Sequence, residues 1–276
     1  MGADGRRLLS AVRVLGMRAD ALGTPPAVGA DLLPGVIVIG AMKCATSAVH
    51  AYLDLHPDVA MSSLKELNFF NGPAVAPHQD SESWWVTGQW HRGLDWYSSQ
   101  FDPSVPVRGE SSPAYTSPSC PEVAARMASV VPHARLVYLV RDPVERAVSQ
   151  YAHHVRDGAE HRCLREALLD PGSQYLSRSR YYERLEPFLA WFEPDQIHIV
   201  VQERLFSRRD REISAIYRHV GVDERWRDGR CARRHHVATQ RLEVAPGVRA
   251  EFEERVRDDL DRLRDLMGDP IAEWAG

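Results

Sequence analysis

The segment Gly40-Ala41-Met42-Lys43-Cys44-Ala45-Thr46-Ser47 follows directly on the apolar run Val36-Ile37-Val38-Ile39 and leads into residues with helical spacing. A strand, a turn of small residues and a helix start make an anion site, because unpaired backbone N–H groups and the helix dipole both face whatever sits before the first turn. Lys43 adds a charge there, and Thr46 and Ser47 add hydroxyl donors. The segment is not a Walker A loop, in which GxxxxGK is followed at once by the Ser or Thr that holds magnesium. Here Lys43 comes three residues after Gly40, and Cys44 occupies the next position. The spacing favours phosphate binding without an obligatory metal and weakens a kinase or ATPase reading.

Lys43 and Lys65 are the only two lysines among 34 basic side chains; the rest are arginine. A lysine that survives such a bias marks a place where a compact, mobile ammonium is wanted rather than a planar guanidinium. Lys65 directly precedes Glu66, ahead of Asn68-Phe69-Phe70. A carboxylate with a cation beside it can take a proton from an attacking hydroxyl. A third constellation is Arg141-Asp142-Pro143 at the end of an apolar run, with Ser149 eight residues after the arginine.

The elements that must position these groups are legible as alternating periods. Val36 to Ile39, Leu136 to Val140 and Ile197 to Val201 read as strands buried on both faces. Thr46 to Leu55, Val144 to Arg156, Tyr181 to Phe192, Glu203 to Val220 and Val248 to Met267 read as helices. Such alternation predicts an α/β fold, a P-loop-like doubly wound parallel sheet flanked by helices, with ligands bound beyond the carboxyl ends of the strands. Lys43 and Arg141 both lie just beyond such ends. Residues 1–33 are expected to be a leader and linker, and 34–276 one domain. Gly72 to Gly93, rich in proline and tryptophan, is the candidate substrate loop.

A net charge of −4 excludes a whole-molecule footprint for nucleic acid. Cys44, Cys120, Cys163 and Cys231 show neither CxxC nor zinc spacing, so no metal site is legible and reduced thiols in a cytoplasm are expected. No apolar stretch reaches the roughly 18 residues of a transmembrane helix.

With these motifs in hand, the chain resembles sulfotransferases that use 3′-phosphoadenosine 5′-phosphosulfate (PAPS). The loop from Gly40 to Ser47 is similar to that family's 5′-phosphosulfate loop, and Arg141 with Ser149 to its 3′-phosphate motif. His56-Pro57-Asp58, Lys65-Glu66 with Phe69-Phe70, Gly93-Leu94-Asp95-Trp96-Tyr97 and Tyr181 with Leu185 and Phe192 resemble the heparan-sulfate-type branch (N- and 3-O-sulfotransferases). The resemblance implies a sulfotransferase fold and PAPS as co-substrate with no metal required. It implies that the loop from Lys43 through Cys44 and Ala45 to Thr46 and Ser47 holds the phosphosulfate. Arg141 and Ser149 would hold the 3′-phosphate, Glu66 would act as general base, and Lys65 would stabilise charge at the sulfuryl group or hold Glu66 in its charged form.

The acceptor implied is a hydroxyl of a carbohydrate or small molecule, and the heavy arginine and alanine usage suggests a bacterial enzyme that decorates glycolipids or secondary metabolites. Two departures stand out. Ala45 replaces the family's usual glycine, which is hard to accommodate if φ is positive there, and the basic stretch Arg230 to Arg241 matches no family loop cleanly. A nucleotide or small-molecule kinase and a non-catalytic nucleotide-binding protein are the alternatives. His56, His153 and His154 read as structural or surface residues, and His91 as an alternative base. Trp84, Trp85, Trp90 and Trp96 crowd the acceptor side, with Trp96 and Tyr97 expected in a helix core.

Lysine scarcity generates a direct test. Lys43→Arg keeps the charge and should still lower sulfuryl-transfer turnover, whereas full activity in that variant removes the argument that an ammonium is required.

Overall fold

Strands covered on both faces carry unbroken apolar runs, and three such runs form the centre and one flank of the sheet. The computed structural model describes residues 32–74, 88–232 and 242–274. The expected leader, the central part of the candidate substrate loop with Trp84 and Trp85, and most of the basic stretch 230–241 lie outside the described residues.

The strands are β1 (Val36–Gly40), β2 (Val59–Met61), β3 (Val107–Ser111), β4 (Arg135–Val140) and β5 (Ile197–Val201). They make one parallel sheet in the order β2-β3-β1-β4-β5. From β1 the chain goes to the edge strand β2, returns to β3 beside β1, and then crosses to β4 and β5 on the other side. The order therefore reverses at β1, the position where open α/β sheets bind ligands. The helices are α1 (Thr46–Asp54), α2 (Gly93–Ser98), α3 (Val123–Val130), α4 (Pro143–Arg156), α5 (Leu164–Leu169), α6 (Gln174–Ser177), α7 (Tyr181–Leu189), α8 (Gln202–Ser207), α9 (Arg209–Val220) and α10 (Pro246–Met267). The expected α/β architecture is the one observed.

The differences have local causes. β3 reads Val-Arg-Gly-Glu-Ser and looks like a loop, yet Glu110 and Ser111 are fully buried in it. Gly109 is there because a Cβ would meet Met61 Sδ and Val36 Cγ1, each at 2.6 Å. The single helix expected over 203–220 is two, because Arg208 leaves helical geometry at φ −128° between α8 and α9. α7 ends at Leu189 and carries Pro187 within it. Among the described residues no helix is long and apolar enough to cross a membrane.

α4 is fixed by a buried cation. Arg146 is fully buried and donates from Nε to Ser179 Oγ at 2.8 Å, from Nη1 to Gln150 Oε1 at 2.7 Å and from Nη2 to the Tyr175 carbonyl at 2.5 Å. All three acceptors are neutral, so the guanidinium is hydrogen-bonded without a counter-charge and ties α4 to α6 and to the turn before α7.

Candidate functional site

The loop after β1 leaves its donors facing outward because of how α1 begins. Its N-cap is Ala45, in left-handed geometry at φ 63°, ψ 25°, and no side chain caps the helix. A capping Ser or Asp would accept from the first-turn N–H groups; alanine accepts nothing and leaves them for a ligand. No acidic residue occupies the first turn. Among the described residues the Thr46 and Ser47 hydroxyls at the start of α1 have no hydrogen-bond partner. Gly40 begins the loop where a Cβ would meet Thr116 Oγ1 at 2.3 Å. Cys44 supports the loop from below: its N–H bonds the Ala41 carbonyl at 3.2 Å, and its thiol is buried 3.8 Å from Tyr181 Oη. Burial pushes that thiol up to about 12. Its side chain faces the core, so the loop's ligand-facing groups are its neighbours.

Lys65 and Glu66 meet as an ion pair at 2.5 Å, with their side chains 26% and 40% exposed. The Glu66 N–H donates to the Ser111 carbonyl at the end of β3, at 2.9 Å. Glu66 is also left-handed, at φ 64°, and so is Asn68 at φ 49°. Of five non-glycine residues with positive φ among the described residues, Lys43, Ala45, Glu66 and Asn68 fall in these two loops; only Ile271 lies elsewhere. Backbone strain of this kind, about 1–3 kcal/mol per residue, collects at functional sites.

Arg141 stands just past β4. Tyr181 Oη holds its backbone from both sides, donating to the Arg141 carbonyl at 2.7 Å and accepting from its N–H at 3.4 Å. The Arg141 guanidinium pairs with Glu145 at 3.5 Å, the ion pair that competes with a phosphate-binding role. Glu145, however, is shared with Arg249 of α10 at 3.0 Å, and Arg249 also reaches Asp142 at 3.3 Å. Arg249 thus offsets both acids beside Arg141. The Ser149 hydroxyl, on α4, has no internal hydrogen-bond partner.

The charges near Lys43 and His153 shift both groups. Burial, then Arg156, lowers the Lys43 pKa; Asp157 opposes this, Arg141 adds to the lowering and Glu66 opposes it again. Burial and Lys43 likewise lower His153, which also feels Asp157, Arg156 and Glu66. Contacts tie the elements together: Ser111 contacts His50 of α1 through Oγ at 3.1 Å and accepts from the Glu66 N–H at 2.9 Å, and Tyr181 Oη lies 3.8 Å from Cys44 Sγ and donates to the Arg141 carbonyl at 2.7 Å. The sequence reading gave His153 a structural or surface role, and its side chain, 37% exposed, contacts Arg156 and Asp157 on its own helix and its C-terminal turn. His50 is an addition to the sequence reading. Burial with Lys65 nearby pushes it down to about 4, so it is neutral at pH 7.

The aromatic residues and remaining histidines find these places. Trp96 packs on Phe69 at 6.2 Å from α2, in keeping with the helix-core reading, and Trp90 packs on Phe69 at 5.2 Å, with Arg92 over the Trp96 ring and Arg126 over the Trp90 ring. Phe69 stacks on Tyr97 at 4.1 Å, in the core as expected. His91 lies in the turn Trp90–Arg92. His56 is structural: buried, it accepts from the Asp58 N–H and packs on Tyr217 and Trp226.

Comparison with known proteins gives one consistent result. The profile of the sulfotransferase family matches residues 66–228, more than half of the chain, a span that includes Glu66, Arg141 and Ser149. A bifunctional heparan sulfate N-deacetylase/N-sulfotransferase of Drosophila melanogaster is 28% identical over 207 residues, covering 63% of this chain and 18% of that protein. Heparan sulfate glucosamine 3-O-sulfotransferase 5 of Mus musculus is 28% identical over 208 residues, covering 70% of this chain and 55% of its own. The chain thus spans from about a fifth to about half of these relatives. The crystal structure of a sulfotransferase from Alicyclobacillus acidocaldarius superposes with a TM-score of 0.74 at 26% identity, covering 88% of this chain and 99% of that one.

The left-handed Ala45 makes a measurable prediction. Ala45→Gly removes the Cβ from a conformation costing an L-residue roughly 1–2 kcal/mol, so the variant should be more stable by ~1 kcal/mol. Chemical denaturation showing equal or lower stability would mean that the loop does not strain this residue.

Proposed function

This chain belongs to the sulfotransferase family, and we propose that it transfers the sulfuryl group of PAPS to a hydroxyl of a carbohydrate or small-molecule acceptor. The observation that carries this reading is the uncapped start of α1, preceded by Lys43, with the Glu66 loop joined to the same helix through Ser111, which contacts His50 and accepts from the Glu66 N–H. An anion cradle and a proton acceptor then face one reacting centre. Relatives named for heparan sulfate glucosamine favour a sugar acceptor; a glycolipid or a secondary metabolite carries the same hydroxyl.

PAPS supplies the sulfuryl group and takes the leaving electron pair onto its 5′-phosphate. The chain's own residues do the rest. The first-turn N–H groups of α1, with the Thr46 and Ser47 hydroxyls, hold the phosphosulfate, and Lys43 balances charge on the leaving oxygen. Arg141 and Ser149 take the 3′-phosphate, which distinguishes this donor from ATP. Arg141 is freed for this because Arg249 shares Glu145. Glu66 takes the acceptor proton as the new O–S bond forms, and Lys65 holds its carboxylate in place. These donors together supply preorganised charge stabilisation, so we assign no metal to the reaction.

Thermal unfolding tests the donor site. The product nucleotide 3′-phosphoadenosine 5′-phosphate (PAP), without metal and at about 100 times its Kd, should stabilise the fold by about 2.7 kcal/mol. Stabilisation by ATP with magnesium alone would instead promote a kinase. For the chemistry, Glu66→Gln should lower PAP release from PAPS, over a panel of sugars and phenols, by roughly 10²- to 10⁴-fold. Near-normal release would remove Glu66 from the mechanism.

A further inference from the structure

Beneath the Glu66 loop lies a carboxylate that the proposed reaction does not use. Glu110 of β3 is fully buried. Among the described residues no cation pairs with it; it accepts instead from three hydroxyls, Tyr97 Oη at 2.5 Å, Tyr115 Oη at 2.7 Å and Ser112 Oγ at 2.7 Å. Burial pushes its pKa up and the three donors pull against that shift. Burial and Glu110 itself raise both phenols well above their usual range, so they stay protonated and remain donors.

Two of the three hydroxyls face two ways. Ser112 Oγ accepts from the Asn68 N–H at 3.0 Å, and Tyr115 Oη accepts from the Phe69 N–H at 3.0 Å. Each forms a chain that runs in one direction, from loop amide to hydroxyl to carboxylate, and chains of this polarity reinforce one another. The loop they grip is the one that holds Glu66 and Asn68 in left-handed geometry. Such geometry persists only where the surroundings over-determine it. The Glu66 N–H to Ser111 carbonyl bond adds a third tether, one residue from Glu110. Tyr97 differs: its hydroxyl reaches Glu110 but no amide of the loop.

We propose that Glu110 is a positioning residue that holds Glu66 at the reacting centre through two hydroxyl relays, Ser112 to the Asn68 amide and Tyr115 to the Phe69 amide. The inference rests on Glu66 acting as the base. It does not concern the nucleotide, whose cradle lies on the loop after β1.

The test deletes single oxygens, because Glu110→Gln alters the buried hub itself and risks unfolding. Ser112→Ala, Tyr115→Phe and, as control, Tyr97→Phe are made in the parent chain and in Glu66→Gln, and the folded variants are read by PAP release from PAPS over the same acceptor panel. Ser112→Ala and Tyr115→Phe should each lower kcat by about 10-fold, with KM for PAPS changed less than about 2-fold, as expected for a displaced catalytic group. In the Glu66→Gln background the same substitutions should cost less than about 2-fold, since the group they position is already lost. Tyr97→Phe should stay within about 2-fold of the parent, because it breaks no link to the loop. Amide hydrogen exchange at Asn68 should speed up in Ser112→Ala, and at Phe69 in Tyr115→Phe.

Losses of equal size in both backgrounds, or a Tyr97→Phe loss as large as the others, would overturn the relay. Unchanged exchange at both amides would overturn it whatever the turnover. If Glu66→Gln alone changes nothing, or the parent releases no PAP, the base assignment fails instead, and the exchange measurement still decides whether the relay holds the loop.

Discussion

The first N–H groups of an α-helix have no partner within the helix, and at the start of α1 this chain supplies none from a side chain either. Ala45 occupies the cap, no acid lies in the first turn, and Thr46 and Ser47 keep their hydroxyls uncommitted. A helix end left this way is costly unless it faces water or an anion. Much of the surrounding structure follows from keeping it so. β1 lies at the reversal of strand order, so the loop opens beyond the sheet rather than beneath a neighbouring connection. Gly40 allows Thr116 to close against the loop's first residue, and Cys44 turns inward to Tyr181, which in turn holds the Arg141 backbone. One tyrosine hydroxyl thereby couples the two loops proposed to hold the two ends of a nucleotide.

The second loop is built on the opposite plan. Where the first leaves donors unpaired, the segment carrying Glu66 has its backbone amides tied down one after another, to Ser111, Ser112 and Tyr115. The difference suits the two tasks. Binding an anion needs open donors, whereas a base needs a fixed position, and its own side chain must stay accessible; Glu66 is 40% exposed while the residues beneath it are buried. Both loops carry left-handed non-glycine residues, so both depend on stable packing elsewhere. Arg146, buried and hydrogen-bonded to neutral acceptors, supplies part of it by fixing α4, the helix that carries Ser149 and His153.

The parts of this plan that were legible in the sequence are those set by local rules. Strands covered on both faces are usually apolar runs, which made β1, β4 and β5 legible and hid β3. An anion loop must follow a strand and open a helix, which exposed Lys43 to Ser47. What was hidden depends on residues distant in sequence. Glu110 amid Arg108, Gly109 and Ser111 reads as a surface loop, because its partners Tyr97 and Tyr115 come from different segments. β2, with three residues, is too short to show a period. His153 and Arg156 both pair with Asp157, and Arg156 is largely exposed, the solvated helix end that their types suggest. The aromatic crowd was harder to divide, since a stacking platform and a core cluster have the same composition; ring contacts with Phe69 put Trp96 in the cluster expected of it and Trp90 beside it.

The lysine at position 43 can now be placed physically. It sits half buried in a left-handed turn, its ammonium made less basic by burial and by Arg156 and Arg141, with Asp157 and Glu66 pulling the other way. A guanidinium there would bring a planar fork suited to bidentate pairing, and carboxylates are at hand to take it. An ammonium on a flexible stem commits less to any one partner. In a chain whose other basic residues are nearly all arginine, the proposed reaction puts this point charge where the charge to be balanced would move, from the sulfuryl group to the oxygen it leaves. The arginines are kept where the charge stands still, at Arg141 beside Glu145 and at Arg249 across Asp142 and Glu145.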